Sequence, residues 1–280
     1  MSTAANLLST EARNETRDDR WTVAAIAMLA FMLTDVGHEV LGHGIGYVLG
    51  GGHSWLSTTT RIVGDTRLPD PGWRILDLGG PAGNLLFAAL GWLGQRLIRG
   101  SAPRIRLLCL LVLAFSLYWA FGYMIYCGVL GHGDWFAVID GAKTEWLWRV
   151  ALCVVGIALY RATTFLVAAE FHWLVSANEH SSTSRVRHLA TVSYLAGGVI
   201  ACLGAMLDPH GPMEMLNSGA ASSFLATLGL LRTPRFFPRA PDRPVNSSAP
   251  INRSVAWIVV SLAIAILYIV VLGRGLRITF

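Results

Sequence analysis

Four ionisable side chains, Asp35, His38, Glu39 and His43, fall within nine residues of a long apolar run, in the string DVGHEVLGHGIGYVLGGG. A charged group at the centre of a bilayer costs about 2.5–3.5 kcal/mol on insertion scales, so such groups in an apolar helix point to function. Imidazoles and a carboxylate are donors for a divalent metal, and a glutamate beside them can act as a general base toward water. The spacing leaves the arrangement open. At about 100° per residue, Asp35, Glu39 and His43 follow one another along one stripe, with His38 about 60° to its side. His38 and His43, five residues apart, diverge by about 140° on a regular helix and could not share a metal there. A single π-bulge absorbs one residue and returns such a pair to a common face; Gly37, Gly42 and Gly44 make this helix easy to deform. Three arrangements follow: His38 and His43 as ligands across a bulge; Asp35, Glu39 and His43 as ligands with His38 behind them; or a polar face in which Glu39 and His43 satisfy each other within a helix bundle.

Two later strings carry related chemistry. DLGGPAGNLLFAALG puts Asp77, Gly79, Gly80, Pro81, Gly83 and Asn84 at the opening of a second apolar run. Irregular backbone at membrane depth survives only where protein or water satisfies it, which implies a cavity. GVLGHGDWFAVIDG closes a third run and offers His132, Asp134 and Asp140. If successive runs cross a membrane, the ends of the first and third and the start of the second share one side, which brings all three strings to the same face.

The elements that must position these residues are set by composition. Of 280 residues, 54% are hydrophobic and 14% charged, with a mean hydropathy of +0.52, against about 25% charged in soluble domains. A soluble chain is excluded. Apolar runs near Trp21–Leu49, Ile75–Ile98, Ile105–Val129, Leu147–Leu174, Leu189–Leu207, Ala220–Leu231 and Val255–Leu272 predict an all-α polytopic membrane protein with six or seven transmembrane helices and a metal site on the first three. The Ala220–Leu231 run is short and either crosses or re-enters. The expected organisation is a polar tail 1–20, a membrane-embedded helical region 21–231 with its site at 30–141, an unstructured Pro/Arg-rich linker 232–253, and a final helix in 254–280.

The net charge of +5 is almost wholly arginine, Lys143 being the single lysine. With the N-terminus cytoplasmic, Arg13, Arg17, Arg20, Arg96, Arg99, Arg104, Arg106, Arg185, Arg187 and the arginines from Arg232 to Arg253 fall inside. Arg61, Arg67, Arg74, Lys143, Arg274 and Arg277 fall outside, the bias of the positive-inside rule. No basic stripe with interleaved aromatics is present, so no nucleic-acid partner is expected. Cys109, Cys127, Cys153 and Cys202 lie in apolar runs without paired spacing and read as small packing residues. The first apolar run is followed by His and Glu, not by a small-residue cleavage site, so no removable signal is expected.

Together HEVLGH, GGPAGN and the downstream aspartate resemble the site-2-protease-type family of intramembrane zinc metalloproteases, over roughly residues 30 to 141. The resemblance implies that His38 and His43 bind Zn2+, that Glu39 is the catalytic base, and that Pro81 and Asn84 belong to the family's helix-opening Gly-Pro-x-x-Asn element. It also implies a third ligand, Asp134 or Asp140. Asp140 has the following Gly141 that the family string carries but not the preceding Asn-Pro; Asp134 is nearer the depth of the histidines and is the choice here. The implied substrate is a membrane-embedded or juxtamembrane polypeptide, met within the lipid bilayer. The histidine spacing and the incomplete third string depart from the family pattern. The alternative function is a non-proteolytic membrane protein, a cation or proton transporter or an inactive relative, using the Asp35, Glu39 and His43 stripe. Of the other polar residues, Arg161 and Glu170 read as an intramembrane pair, His53 as a loop residue, His180, His188 and His210 as interfacial, and Trp21, Trp73, Trp119 and Trp135 as interfacial anchors.

Overall fold

The computed structural model describes residues 18–98, 102–175, 182–237 and 249–279. Most of the tail expected over 1–20, Arg99, His180 and the middle of the expected linker, with Arg239 and Arg243, lie outside the described residues. The protein is mostly helical, and five helices are long and apolar enough to cross a membrane.

The first of these is a continuous helix from Arg20 to Leu49. It opens on Asp19, whose carboxylate accepts from the Thr22 amide at 2.9 Å and satisfies one of the orphan donors at the helix start. It has three parts: α1 (Arg20–Asp35), a π-helix over Val36–Gly42, and α2 (His43–Leu49). A loop follows with two short strands, β1 (Ser54–Ser57) and β2 (Ile62–Gly64). Then come α3 (Gly72–Leu97), α4 (Pro103–Leu130), the short α5 (Asp134–Ala137), α6 (Glu145–Glu170) and α7 (Ser182–Ala205). A π-helix over Met215–Phe224 passes into a 3₁₀-helix over Leu225–Arg235, and α8 (Val255–Leu267) leads through a π-helical turn into β3 (Leu276–Thr279).

Three features differ from the sequence expectation. A three-stranded antiparallel sheet is present, ordered β2-β1-β3, in which Trp55 faces Gly64 on one side and Ile278 on the other. The segment read as Ala220–Leu231 is ordered and helical from Met215 to Arg235, ten residues of π-helix and eleven of 3₁₀, so its last residues take the start of the expected linker. The 26-residue α3 starts at Gly72, which puts GGPAGN in its interior; its glycines, Asp77 and Asn84 keep it out of the five most apolar helices.

The core lies between α1, α4 and α7, where Phe31 packs edge-on against Phe115 and stacks on Trp119. Outward faces of α6 and α8 expose Val154, Val155, Ile157, Val259, Leu262 and Ile266. Such a continuous apolar face is costly against water and suits lipid, so the chain is a membrane-embedded protein. Arg106, fully buried, serves as a cap: its guanidinium donates to the Gln95 and Ile98 carbonyls at the end of α3, where four carbonyls lack intrahelical partners.

Candidate metal centre

The π-helix is what brings the two histidines together. The His43 amide donates to the His38 carbonyl, the i to i−5 bond of a π turn, so the extra residue between the histidines is taken up by the backbone. The two rings face one another at 4.9 Å between centroids, edge to face at 88°. This helix lies tight against α3: an added Cβ at Gly42 would strike the Gly79 carbonyl, and one at Gly79 the Gly42 carbonyl. Only backbone separates the pair there.

The third acid arrives by a reversal of the chain after α4. Gly131 and Gly133 adopt φ of +71° and +96°, a region closed to most side chains, and turn the chain back so that Asp134 opens α5 beneath the histidines. Asp134 Oδ2 lies 3.1 Å from His38 Nε2 and 3.3 Å from His43 Nε2. The donor atoms of His38, His43 and Asp134 all fall within 4.8 Å of one another, and the group could hold a metal ion. Glu39 Oε1 is 3.9 Å from His38 Nε2, and its side chain is buried.

Several observations test whether a metal fits this group. Bonds of about 2.0–2.1 Å to a tetrahedral ion separate its ligands by about 3.3 Å, the spacing seen from Asp134 to each imidazole. Glu39 Oε2 is buried and makes no hydrogen bond among the described residues, so it is not accounted for by protein partners, while the buried Asp134 Oδ2 faces the two imidazole nitrogens. A Cβ added at Gly80 would sit 2.5 Å from His43 Nε2 and 2.6 Å from His38 Nε2, so glycine keeps open the space beside both nitrogens. The outer nitrogens are tied: His43 Nδ1 is 2.8 Å from the Leu76 carbonyl, to which it donates, and His38 Nδ1 is 3.0 Å from the Asn84 amide. Turning that amide by 180° presents Oδ1 to the ring N–H without moving a heavy atom, and leaves the Nε2 lone pair directed at the shared point. The donor set fits.

A cavity of about 130 Å³ opens beside these residues, lined also by Thr60, Arg61, Asp77, Trp119, Tyr123 and Ser222. Trp119 is buried and stacks on His38 at 4.7 Å and 13°, fixing the ring plane; it is not an interfacial anchor. The sequence signal was available, since Trp119 and Tyr123 share a face of α4 at i, i+4. Tyr123 donates to Asp134 Oδ1 at 3.5 Å. Arg61 and Thr60 carried no such signal, because they reach the cavity only through the strand pairing.

Other candidates lie elsewhere. Asp140 is exposed, its carbonyl accepting from Arg74, and it takes no part in the group. Asp35 is buried but does not line the cavity. His132 and His53 are exposed, and His188 lies within α7. His210 contacts Asp208 at 2.9 Å, and His172 is buried against Phe237. The expected Arg161–Glu170 pair does not form. Glu170 takes a two-point contact from Arg96 at 2.9 and 3.0 Å, and Arg161 lies over Phe165 and Phe236. Nine residues on one helix turn through about 900°, which sets Arg161 and Glu170 on opposite faces. Comparison with known protein families, with curated proteins and with solved structures finds no match.

Proposed function

We propose that this protein is a zinc-dependent intramembrane peptidase that cleaves membrane-embedded or juxtamembrane polypeptides. The observation that carries the reading is the closure of His38, His43 and Asp134 around one point with the Glu39 carboxylate beside it. His38, His43 and Asp134 would hold the ion, and two imidazoles with one carboxylate is the donor set of hydrolytic zinc sites that keep a fourth position open. Zinc bound there supplies a Lewis acid that lowers the pKa of water toward about 7 and polarises a carbonyl. Glu39 takes the proton released when water attacks the scissile carbonyl and delivers it to the departing amine. Asn84 and Leu76 hold the imidazole planes, and Trp119, stacked between His38 and Phe31, forms one wall of the cavity. The cavity's polar lining supports a site that admits water and an unpaired peptide backbone. The alternative of a proton or cation path along Asp35, Glu39 and His43 draws less support, because Asp35 is absent from the cavity wall.

The topology belongs to the same proposal. β1 follows the first span and β3 follows the last, and they pair, so an even number of crossings separates them. With α3, α4, α6, α7 and α8 counted, the helical segment Met215–Arg235 supplies the sixth. Its twenty-one residues suffice for a hydrocarbon core that needs about 20. That makes seven spans, with the N-terminus cytoplasmic by arginine bias and the sheet and metal centre toward the opposite face. Glu39→Gln should abolish cleavage of a membrane-protein substrate while zinc stays bound, and His38→Ala should release zinc. Retained cleavage in Glu39→Gln would refute the peptidase reading.

A further inference from the structure

The wall of the cavity carries a basic side chain that the chemistry above does not use. The loop joining β1 to β2 brings Thr60 and Arg61 to the cavity wall, where Thr60 donates to Asp208 Oδ2 at 2.6 Å and Arg61 Nη2 pairs with Glu214 Oε1. Apart from the histidines, Arg61 is the one basic side chain among the described residues lining the cavity. Its Nε is buried and makes no hydrogen bond among the described residues, a donor left over at the wall of a polar site. A guanidinium offers five donors in a planar fork that matches a carboxylate at two points, and a buried unpaired N–H is costly unless something occupies it. Glu214 can release Arg61 without being stranded, because its other oxygen accepts from Ser218 Oγ at 3.1 Å. The pair is also within reach of water, with side-chain exposures of 35% and 15%, so exchange of one carboxylate for another costs little.

We propose that Arg61 recognises a carboxylate on the polypeptide substrate, and that Glu214 holds the place of that carboxylate until the substrate arrives. The inference rests on the peptidase reading for its substrate and selects, within it, polypeptides with an acidic group close to the cut bond. The carboxylate belongs either to an Asp or Glu side chain or to a free C-terminus; both present the same planar pair of oxygens.

The test measures peptide binding to the purified full-length protein by titration calorimetry after the metal has been stripped, so that direct carboxylate–metal contact is not counted. Three short peptides serve as probes: one with an internal Glu and an amidated end, one with a free C-terminus and no acidic side chain, and an amidated twin with neither. The parent should bind one of the carboxylate peptides roughly tenfold more tightly than the neutral twin, as expected for a charge-assisted contact. Whichever peptide is preferred identifies the source. Arg61→Gln should bring that ratio to about one, and Glu214→Gln, which removes the competitor, should raise it. A parent ratio of one, a ratio that persists in Arg61→Gln, or a lower ratio in Glu214→Gln would each overturn the proposal. Cleavage of the same peptides after zinc is restored is read separately; intact carboxylate preference with no cleavage would reject the peptidase reading alone.

Discussion

Replacing Gly80 by alanine adds one methyl group beside the ring nitrogens of both His38 and His43. The new Cβ would lie 2.5 Å from His43 Nε2 and 2.6 Å from His38 Nε2, whereas ordinary contacts begin near 3.4 Å. Both imidazole tips must therefore retreat by about 0.8–0.9 Å, several times the roughly 0.2 Å tolerance of a zinc–ligand distance. Neither ring can yield freely, since His43 is held to the Leu76 carbonyl and His38 lies between Trp119 and Asn84. Disturbing an outer support alone lowers metal affinity about 10–100-fold, so displacing two ligand atoms should cost at least about 100-fold, near 2.7 kcal/mol. The helix itself is not the casualty, because alanine is favoured over glycine within a helix by about 1 kcal/mol. Chelator competition on the purified protein measures zinc affinity, and thermal unfolding of the metal-free form checks the fold. A Gly80→Ala protein that binds zinc within about threefold of the parent, a difference under 1 kcal/mol, would show that the space beside the two nitrogens is not where the ion sits.

Asn84→Ala removes the amide beside His38 Nδ1 and should lower zinc affinity by about 10–100-fold while leaving the donor set unchanged, read by the same competition. Acid should loosen the strand loop from its anchor. Burial pushes the Asp208 carboxyl up, but hydrogen bonds from Thr60 and His210 outweigh it and hold the group below its ordinary value of 3.8. A lowered folded-state pKa gives stability that is fully present above that value and is lost as pH falls through the folded one. Hydrogen exchange at the amides of residues 58 to 61 should therefore accelerate only below about pH 4, and Asp208→Asn should show the faster exchange already at neutral pH. A step centred near pH 6 would point to a different group.

How far the sequence could be read depends on the range of the interaction concerned. The His38–Glu39–His43 string and the π turn that reconciles its spacing are local: one surplus residue and three nearby glycines suffice to expect a bulge. Asp134 was within reach because GHGD must lie near the end of a span, and depth separates it from Asp140 six residues later. The sheet was not legible. β1 and β3 lie more than 200 residues apart and are too short to announce themselves, yet their pairing carries Thr60 and Arg61 to the cavity. Partners of buried charges were equally hidden: Glu170 meets Arg96 on another helix, while its nearby expected partner Arg161 faces the other way. The segment Met215–Arg235 was read too short because π- and 3₁₀-helices depart from the 3.6-residue period by which an amphipathic helix is recognised.

X-ray absorption at the zinc edge of the purified full-length protein reads the ligands of the ion themselves. One bound ion is expected, with nitrogen and oxygen neighbours at about 2.0–2.1 Å and the outer-shell scattering of two imidazoles. His38→Ala and His43→Ala should each release the ion, and zinc forced onto either variant at high loading should lack one of the two imidazoles; zinc forced onto Asp134→Asn should lack the carboxylate contribution. A protein that takes up no zinc, or a His38→Ala spectrum identical to the parent's, would overturn the metal centre on His38, His43 and Asp134.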